Sequence, residues 1–337
     1  MAAYKAQKHS RELWIGFSVS LFAAAAFYFS TKATLHDLDY TAQIAAAFLR
    51  GHLGLREQPP EWLNEMIPYG DRYYSAFPLG AVLSMLPIAV LQKVGLIHNF
   101  PGQLLASLIA GGCVYFFFQL ARAFGDDYAS LQTKPLIRRI MLALYPIFGT
   151  WMWCNLGFGG AWQIALGLAV LGQGGALYFS LARPSPLLAG AFFALAFGNR
   201  TELLITLPVC LYFLWQGCSH GAVSPCVRNE RHKGTSTQLR KPSRGRRGGY
   251  KIYNATRIMK QELWANRRMI IRFMCVPAVL ALLTAAYNFA RFHSIFDFGY
   301  THIPEVRDEP WYAHGLFSIH AIPWNIYTML FQGFESI

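Results

Sequence analysis

Long apolar runs recur along the chain, and they set the first expectation for its fold. A hydrocarbon core of about 30 Å is crossed by roughly 20 residues in a helix. Runs of about that length or longer lie at 13–30, 77–97, 102–124, 137–157, 160–182, 186–216 and 269–290. They favour helices, because the strands of a membrane barrel would be short and would alternate in polarity. The pattern therefore predicts an all-α, polytopic transmembrane helical bundle of about seven spans.

Composition and charge support a membrane protein and predict its orientation. Hydrophobic residues make up 54% of the 337 residues and charged residues only 14%, against about a quarter in a soluble domain. Residues 217–268 contain 13 Lys and Arg against 2 acids, so +11 of the net charge of +13 lies there. Positive loops stay cytoplasmic. We therefore expect a multi-pass integral protein, of a bacterial inner or plasma membrane, whose N-terminus is cytoplasmic.

These runs and charges divide the chain into six segments. The apolar run after the N-terminus is too long for a secretory signal and no clear small-residue cleavage site follows it, so we interpret it as a retained span. The segments are a cytoplasmic N-terminus with the first span (1–30), an outward acidic loop (31–76), a transmembrane bundle (77–216), a basic cytoplasmic loop (217–268), a further span (269–290) and an outward C-terminal segment (291–337).

Two features of the middle third do not fit a simple count of seven. The count places Arg122, Arg138 and Arg139 outside, against the preference of basic residues for the cytoplasmic side. The run over 186–216 would be about 46 Å long as one helix, and polar residues interrupt it at 198–202. Two short helices joined at a membrane surface are the alternative for this run.

The outward loop holds the first candidate chemistry. Apolar positions between Ala42 and Leu55 recur at helical spacing, which predicts a helix lying along the membrane surface. Asp37 and Asp39 directly precede it, at the positive end of its dipole. They are candidates for helix capping or for a general base that takes a proton from an acceptor.

Several other functional classes lack their sequence signatures. The chain contains no phosphate-binding loop, dinucleotide fingerprint, zinc-protease motif or serine-hydrolase elbow. The basic stretch at 228–250 suits attraction to anionic lipid better than nucleic-acid binding, because aromatic residues are not interleaved in it. The histidines and acids after Arg291 match no metal motif. We therefore expect no metal, no cofactor and no nucleic-acid partner.

The start of the outward loop resembles a known signature. The residues His36-Asp37-Leu38-Asp39-Tyr40, followed by an alanine-rich stretch to Gly51, are similar to the first loop of the GT-C superfamily of glycosyltransferases. Protein O-mannosyltransferases and the lipid A aminoarabinose transferase, of the family 39 type, belong to it. In that family an Asp-Glu pair precedes the tyrosine. The match places Asp37 on the catalytic Asp and Leu38 where Glu is usual, and it leaves Asp39 as an alternative.

Three further stretches resemble the same family in the same order. Gly70 to Gly80, with two adjacent tyrosines, is similar to the motif that begins the family's second span. Gly190 to Pro208, which contains Arg200, and Tyr287 to Tyr300 are similar to two later motifs. In the family the chain continues into more transmembrane helices, so the resemblance also implies that this sequence is a C-terminally truncated form.

The resemblance implies an activity and a set of site residues. The family transfers a sugar, a hexose or pentose, from a polyprenyl-phosphate donor with inversion on the non-cytoplasmic side. The acceptor is a lipid, glycan or protein, and Asp37 or Asp39 acts as base. Arg72 or Arg200 contacts the donor phosphate; Arg200 is alternatively paired with Glu202. The implied substrate-contacting aromatic residues are Tyr40, Tyr73 and Tyr74, of which the last two are alternatively interfacial belt residues.

Two other functions stay open from the sequence. A transporter or lipid flippase would use Arg200 to line a substrate path, although no internal repeat is visible. A non-catalytic relative derived by truncation is the other alternative.

Overall fold

A computed structural model of the chain describes residues 2–30, 38–60, 66–124, 135–219, 249–303 and 318–331. The helices are α1 (Ala2–Ser30), α2 (Tyr40–Phe48), α3 (Leu79–Ser84), α4 (Leu86–Lys93), α5 (Gly102–Phe124), α6 (Pro135–Phe148), α7 (Met152–Leu156), α8 (Ala161–Leu181), α9 (Pro186–Asn199), α10 (Leu207–Ser219), α11 (Gly249–Phe292) and α12 (Ala321–Leu330). The strands are β1 (Met66–Tyr69) and β2 (Arg72–Ser75), and short 3-10 helices lie at Thr201–Thr206 and Tyr300–His302.

Four helices within the described ranges are long and apolar enough to cross a membrane. They are Arg11–Ser30, Gly102–Phe124, Ala161–Leu181 and Asn266–Phe292. Large apolar side chains stay exposed on the first and last of them, as at Phe22 and Leu282, which are 71% exposed. Contiguous apolar surface of this kind is costly in water. The described part of the chain is mostly helical and contains four candidate membrane spans, where seven were expected.

The expected span over 77–97 is two short helices instead. α3 has 6 residues and α4 has 8, with Met85 between them. Pro87 lies in the first turn of α4, where its missing N–H costs little. Proline cannot continue a helix from the preceding turn without losing a hydrogen bond, so the apolar run is divided at this point.

The runs over 137–157 and 186–216 are also interrupted. α6 contains Pro146 and ends two residues later, and α7 is a separate helix of 5 residues. α9 ends at Asn199 because the backbone of Arg200 is extended, with φ −141° and ψ 104°. A 3-10 turn then leads into α10. The alternative of two short helices for the second run is therefore what the structure shows.

The chain forms two compact units, of which unit 1 comprises residues 1–38 and 100–281. Within unit 1, α5 runs antiparallel to α1: Gly16 packs on the ring of Phe118, whereas the Ser20 hydroxyl donates to the Gly111 carbonyl at 2.6 Å. α6 runs parallel to α1, since Arg139 pairs with Glu12 at 3.2 Å and Phe148 meets Phe27.

The remaining helices of unit 1 continue this alternation. α8 is parallel to α5, because Gly167 packs on Ile109 and Gly174 lies against Phe116 and Phe117. α9 is antiparallel to α8, as the contacts of Gly172 with Ala196 and of Phe179 with Phe192 show. The Thr206 hydroxyl donates to Gln173 at 3.0 Å, and α10 then returns beside α8.

These directions bring three arginines of unit 1 to one end, which we call the basic end. It holds the starts of α1 and α6 and the ends of α5 and α8, with Arg122, Arg139 and Arg183. The opposite end is where the Ala161 N–H donates to the Leu38 carbonyl at 2.7 Å. Arg122 and Arg139 thus lie at the same end of unit 1 as the start of α1, whereas the count of seven spans placed them at the opposite end; 77–97 is two short helices and not one long helix.

The predicted boundary between a basic loop and a last span at 268/269 falls inside a helix. α11 has 44 residues and begins at Gly249. Most of the predicted lipid-attracted stretch at 228–250, namely residues 228–248, lies outside the described residues. Phe273 of α11 packs so closely on Gly190 that a Cβ there would overlap the Phe273 carbonyl.

Unit 2 comprises residues 39–99 and 282–337 and departs from the all-α expectation. Strands β1 and β2 pair as an antiparallel hairpin, with Tyr69 opposite Arg72. Gly70 occupies the turn with φ +63°, a conformation that favours glycine. Ile67, Tyr74 and Phe292 form a buried cluster of this unit.

Candidate functional site

Of the two candidate bases, the structure describes Asp39, which directly precedes helix α2 in unit 2. Asp39 is the residue before the first turn, but its carboxylate makes no capping hydrogen bond to the amides of α2. The Gln43 amide, one turn later, instead donates to Asp39 Oδ1 at 2.7 Å. A neutral donor of this kind orients a carboxylate without neutralising it. Asp37 lies outside the described residues.

Helix α2 ends earlier than its apolar pattern predicts. The expected helix extended to Leu55, yet α2 stops at Phe48 and Gly51 follows with φ +79°. The N–H of His52 donates back to the Ala47 carbonyl at 2.9 Å, which is the pattern of a glycine C-cap. The chain after Gly51 is therefore free to fold as a loop beside the helix.

Helix α2 and this loop line an open cleft of about 590 Å³. This volume is within the range of small-molecule sites. The lining residues are Gln43, Ala46, Ala47, Arg50, His52, Gly54, Leu55, Arg56, Glu57, Gln58, Pro59 and Pro60. Because Gln43 both lines the cleft and holds Asp39, the candidate base lies one hydrogen bond from the wall of the cleft.

The loop behind the cleft is fixed to the hairpin. Leu55 and Tyr73 exchange two backbone hydrogen bonds, each 2.9 Å long. Gly54 packs so closely under Tyr73 and Tyr74 that a Cβ would lie 2.8 Å from both. The Tyr287 hydroxyl donates to the Leu53 carbonyl at 3.3 Å. The cleft therefore has a well-supported back wall, which favours a preformed shape.

The hairpin carries three predicted substrate residues, and they differ in how far they are exposed. Arg72 is partly exposed and lies 3.7 Å from Asp71 at the turn. Tyr73 is half-buried, whereas Tyr74 is buried and packs edge-on against Phe292. Arg72 and Tyr73 thus remain accessible to a ligand, and Tyr74 is mainly part of the packing.

Tyr40 is also buried, with 4% exposure, and its ring packs on Phe77 at 5.3 Å. It belongs to the first turn of α2, directly after Asp39. Its ring therefore anchors the start of the helix.

A buried arginine near the end of α11 is a feature that sequence reasoning missed. Arg291 is 4% exposed, and its guanidinium donates to the Ser75 carbonyl at 3.1 Å and to Asn288 Oδ1 at 2.7 Å. It also stacks on the ring of Tyr287 at 3.8 Å. The available signal was a charge directly after an apolar run, which is costly unless it is paired or functional.

Arg291 joins two of the stretches that resemble the GT-C family. Ser75 belongs to the tyrosine-rich stretch, and Tyr287 and Asn288 begin the last one. Beside them His302 pairs with Asp297 at 3.0 Å, and its ring lies 4.6 Å from the ring of Tyr69, tilted by 53°. No cluster of three metal-ligating side chains occurs within the described ranges.

Arg200, the other predicted phosphate ligand, belongs to unit 1. It follows the last residue of α9, and its guanidinium lies 3.9 Å from the centre of the Trp162 ring at the start of α8. Stacking on an aromatic face is favourable for a guanidinium. The two candidate phosphate ligands, Arg72 and Arg200, thus lie in different compact units.

Comparison of the chain with models of known protein families, with curated proteins and with solved structures gives no match.

Proposed function

We propose that the chain is a membrane glycosyltransferase that uses a polyprenyl-phosphate sugar donor and an aspartate base. The observation that carries this proposal is the hydrogen bond that holds Asp39 to Gln43, which lines an open cleft, in a chain whose described part has four candidate membrane spans. A chain with membrane spans is suited to an amphiphilic donor. The resemblance of four ordered stretches to the GT-C superfamily is the second support.

The proposed chemistry assigns a role to each group. Asp37 or Asp39 accepts the proton of the acceptor hydroxyl or amine while the acceptor oxygen or nitrogen attacks the sugar's anomeric carbon. The bond from that carbon to the phosphate oxygen breaks, and the polyprenyl phosphate leaves with the electron pair. Attack opposite the leaving group inverts the configuration at the sugar carbon.

Of the two candidate phosphate ligands, Arg72 is the better supported, because it lies in the same unit as Asp39 and the cleft. Its neighbour Tyr73 is bonded through its backbone to Leu55, which lines the cleft. A guanidinium fork suits a phosphate because two parallel N–H bonds fit its oxygens. The sugar is a hexose or pentose, and the acceptor is a lipid, glycan or protein.

The three arginines at the basic end of unit 1 support the orientation that this function needs. Since positive residues favour the cytoplasm, the basic end and the N-terminus are cytoplasmic in our proposal. The segments 31–76 and 291–337 then lie on the non-cytoplasmic side, where polyprenyl-linked sugars are used.

The test is donor consumption by the full chain in proteoliposomes. Radiolabelled polyprenyl-phosphate hexoses and pentoses are supplied with a membrane extract as the source of acceptors, and loss of label from the donor is measured. We expect Asp37→Asn or Asp39→Asn to lower the rate about a hundredfold or more. Arg183→Gln removes an exposed charge of unit 1, away from the candidate site residues, and should leave the rate unchanged. Full activity in both aspartate variants contradicts the base, and no consumption of any donor by the unaltered chain contradicts the transferase.

One observation favours a second candidate, a transporter or lipid flippase. α9 and α10 are short helices interrupted next to Arg200, and discontinuous helices form substrate sites in transporters. The same proteoliposomes distinguish the two: a flippase moves the intact donor lipid between leaflets without breaking the bond between sugar and phosphate.

A further inference from the structure

The cleft beside α2 carries an excess of positive charge. Its basic lining side chains are Arg50, His52 and Arg56, and among the described lining residues Glu57 is the acid. Arg50 and Arg56 are exposed, and neither forms an ion pair with a described residue. Two guanidinium groups facing one cavity repel each other unless an anion lies between them. This arrangement points to a ligand that brings negative charge.

The backbone that carries these side chains is fixed on both sides of the cleft. Arg50 follows α2, whose end is closed by Gly51 and by the bond from His52 to Ala47. Arg56 follows Leu55, which is paired with Tyr73 of the hairpin. Anchored backbone lowers the entropy lost when a ligand binds. The backbone at the two arginines is thus held in position, while their side chains are exposed at the cleft.

From this geometry we infer that the cleft is a binding site for a phosphate or carboxylate group, held by Arg50 and Arg56 with a further hydrogen bond from His52. Arginine binds both kinds of oxyanion through paired N–H donors. The volume of about 590 Å³ exceeds the needs of one such group, so the ligand includes a sugar or another hydrophilic moiety.

Anion binding in the cleft does not depend on sugar transfer, but it predicts the charge of the substrate in the proposed reaction. Gln43, which holds Asp39, lines the same cleft as the two arginines. A molecule held by its anionic group in the cleft would therefore lie next to the candidate base. The substrate that occupies this cleft carries a negative charge.

The test uses the full chain in nanodiscs of neutral phosphatidylcholine. Inorganic pyrophosphate and glucose 1-phosphate are titrated in by calorimetry, with glucose as the uncharged probe. We expect saturable binding of the two anions, no binding of glucose, and a loss of affinity of about tenfold or more in each of Arg50→Gln and Arg56→Gln. Arg50→Lys keeps the charge without the fork and should lie between. Arg183→Gln, an exposed arginine of unit 1, should bind as the unaltered chain does.

A second arm distinguishes a soluble ligand from a lipid headgroup. Nanodiscs are assembled from equal amounts of phosphatidylcholine and phosphatidylglycerol, and the lipid retained by the purified protein is quantified. If only phosphatidylglycerol is retained, and less of it by the double variant of Arg50 and Arg56, the anionic group belongs to a lipid. The inference is overturned if neither probe binds, or if the double variant binds both as the unaltered chain does. Both side chains are exposed, so circular dichroism should show the same helix content in each variant.

Discussion

Replacing Arg291 with methionine should release the hairpin of unit 2. The substitution keeps a long flexible side chain but removes every donor of the guanidinium. The Ser75 carbonyl and the Asn288 amide oxygen then lose the bonds of 3.1 Å and 2.7 Å that Arg291 now supplies. Ser75 is 0% exposed and Asn288 is 1% exposed, so water replaces these bonds only if the hairpin moves.

The expected loss follows from these contacts. A hydrogen bond from a charged group contributes about 1.5 to 3 kcal/mol, and stacking on an aromatic ring adds about 0.5 to 2 kcal/mol. Removing the guanidinium also relieves the cost of burying it, which offsets part of the sum. We therefore expect the local free energy of opening to fall by about 3 kcal/mol, or roughly a hundredfold in the opening equilibrium.

Hydrogen exchange measured by mass spectrometry on the peptide covering 66–77 is the assay, because it reports local opening. Arg291→Lys keeps the charge, but one ammonium is not expected to reach both acceptors, so exchange should rise less. Arg50→Met serves as the control and should leave exchange unchanged, since Arg50 is exposed and its side chain forms no hydrogen bond or ion pair with a described residue. Exchange in Arg291→Met that matches the unaltered chain would refute the idea that this arginine fixes the hairpin.

Three further substitutions test the packing. Gly190→Ala should lower the thermal midpoint by several degrees, since its Cβ would overlap the Phe273 backbone; an unchanged midpoint contradicts this close approach. Gln119→Leu should raise the midpoint, because both amide atoms of this buried side chain lack a hydrogen-bond partner among the described residues, and a lower midpoint would show that the amide is satisfied. Gly51→Ala should destabilise unit 2 by about 1 to 2 kcal/mol through its φ of +79° alone, as no atom lies within 4 Å of the added Cβ; chemical denaturation measures the loss, and no loss would contradict the left-handed cap.

The apolar pattern predicted the long helices well. α1, α5, α8 and the second half of α11 cover four of the predicted runs, because a helix of about 20 apolar residues leaves a strong sequence signal. It failed where proline divides a run, at Pro87 and Pro146, since hydropathy measures polarity and ignores backbone donors. Because 77–97 was counted as one span, the predicted directions of α5, α6 and α8 were reversed. The division of 186–216 into α9 and α10, which run in opposite directions, brings the count back into agreement at α11.

The hairpin and its arginine were missed for different reasons. Gly70 and Asp71 between two short runs are a recognisable turn signal, but tyrosines beside a membrane are equally typical of an interfacial belt. One partner of Arg291, the Ser75 carbonyl, lies 216 residues away in the sequence, and no local pattern predicts such a contact. For the candidate site, the sequence identified Asp39 but not the cleft, because the basic side chains of the cleft become neighbours only once Gly51 ends the helix.

The most direct measurement of the central claim is the release of polyprenyl phosphate from a polyprenyl-phosphate sugar by the full chain in proteoliposomes. The product is the same whichever acceptor is used, and chromatography separates it from the donor. The proposal predicts acceptor-dependent release that falls to background in the double variant of Asp37→Asn and Asp39→Asn, with an inverted sugar linkage in the product. Release at an equal rate from the double variant, or movement of the donor across the membrane without release, would contradict it.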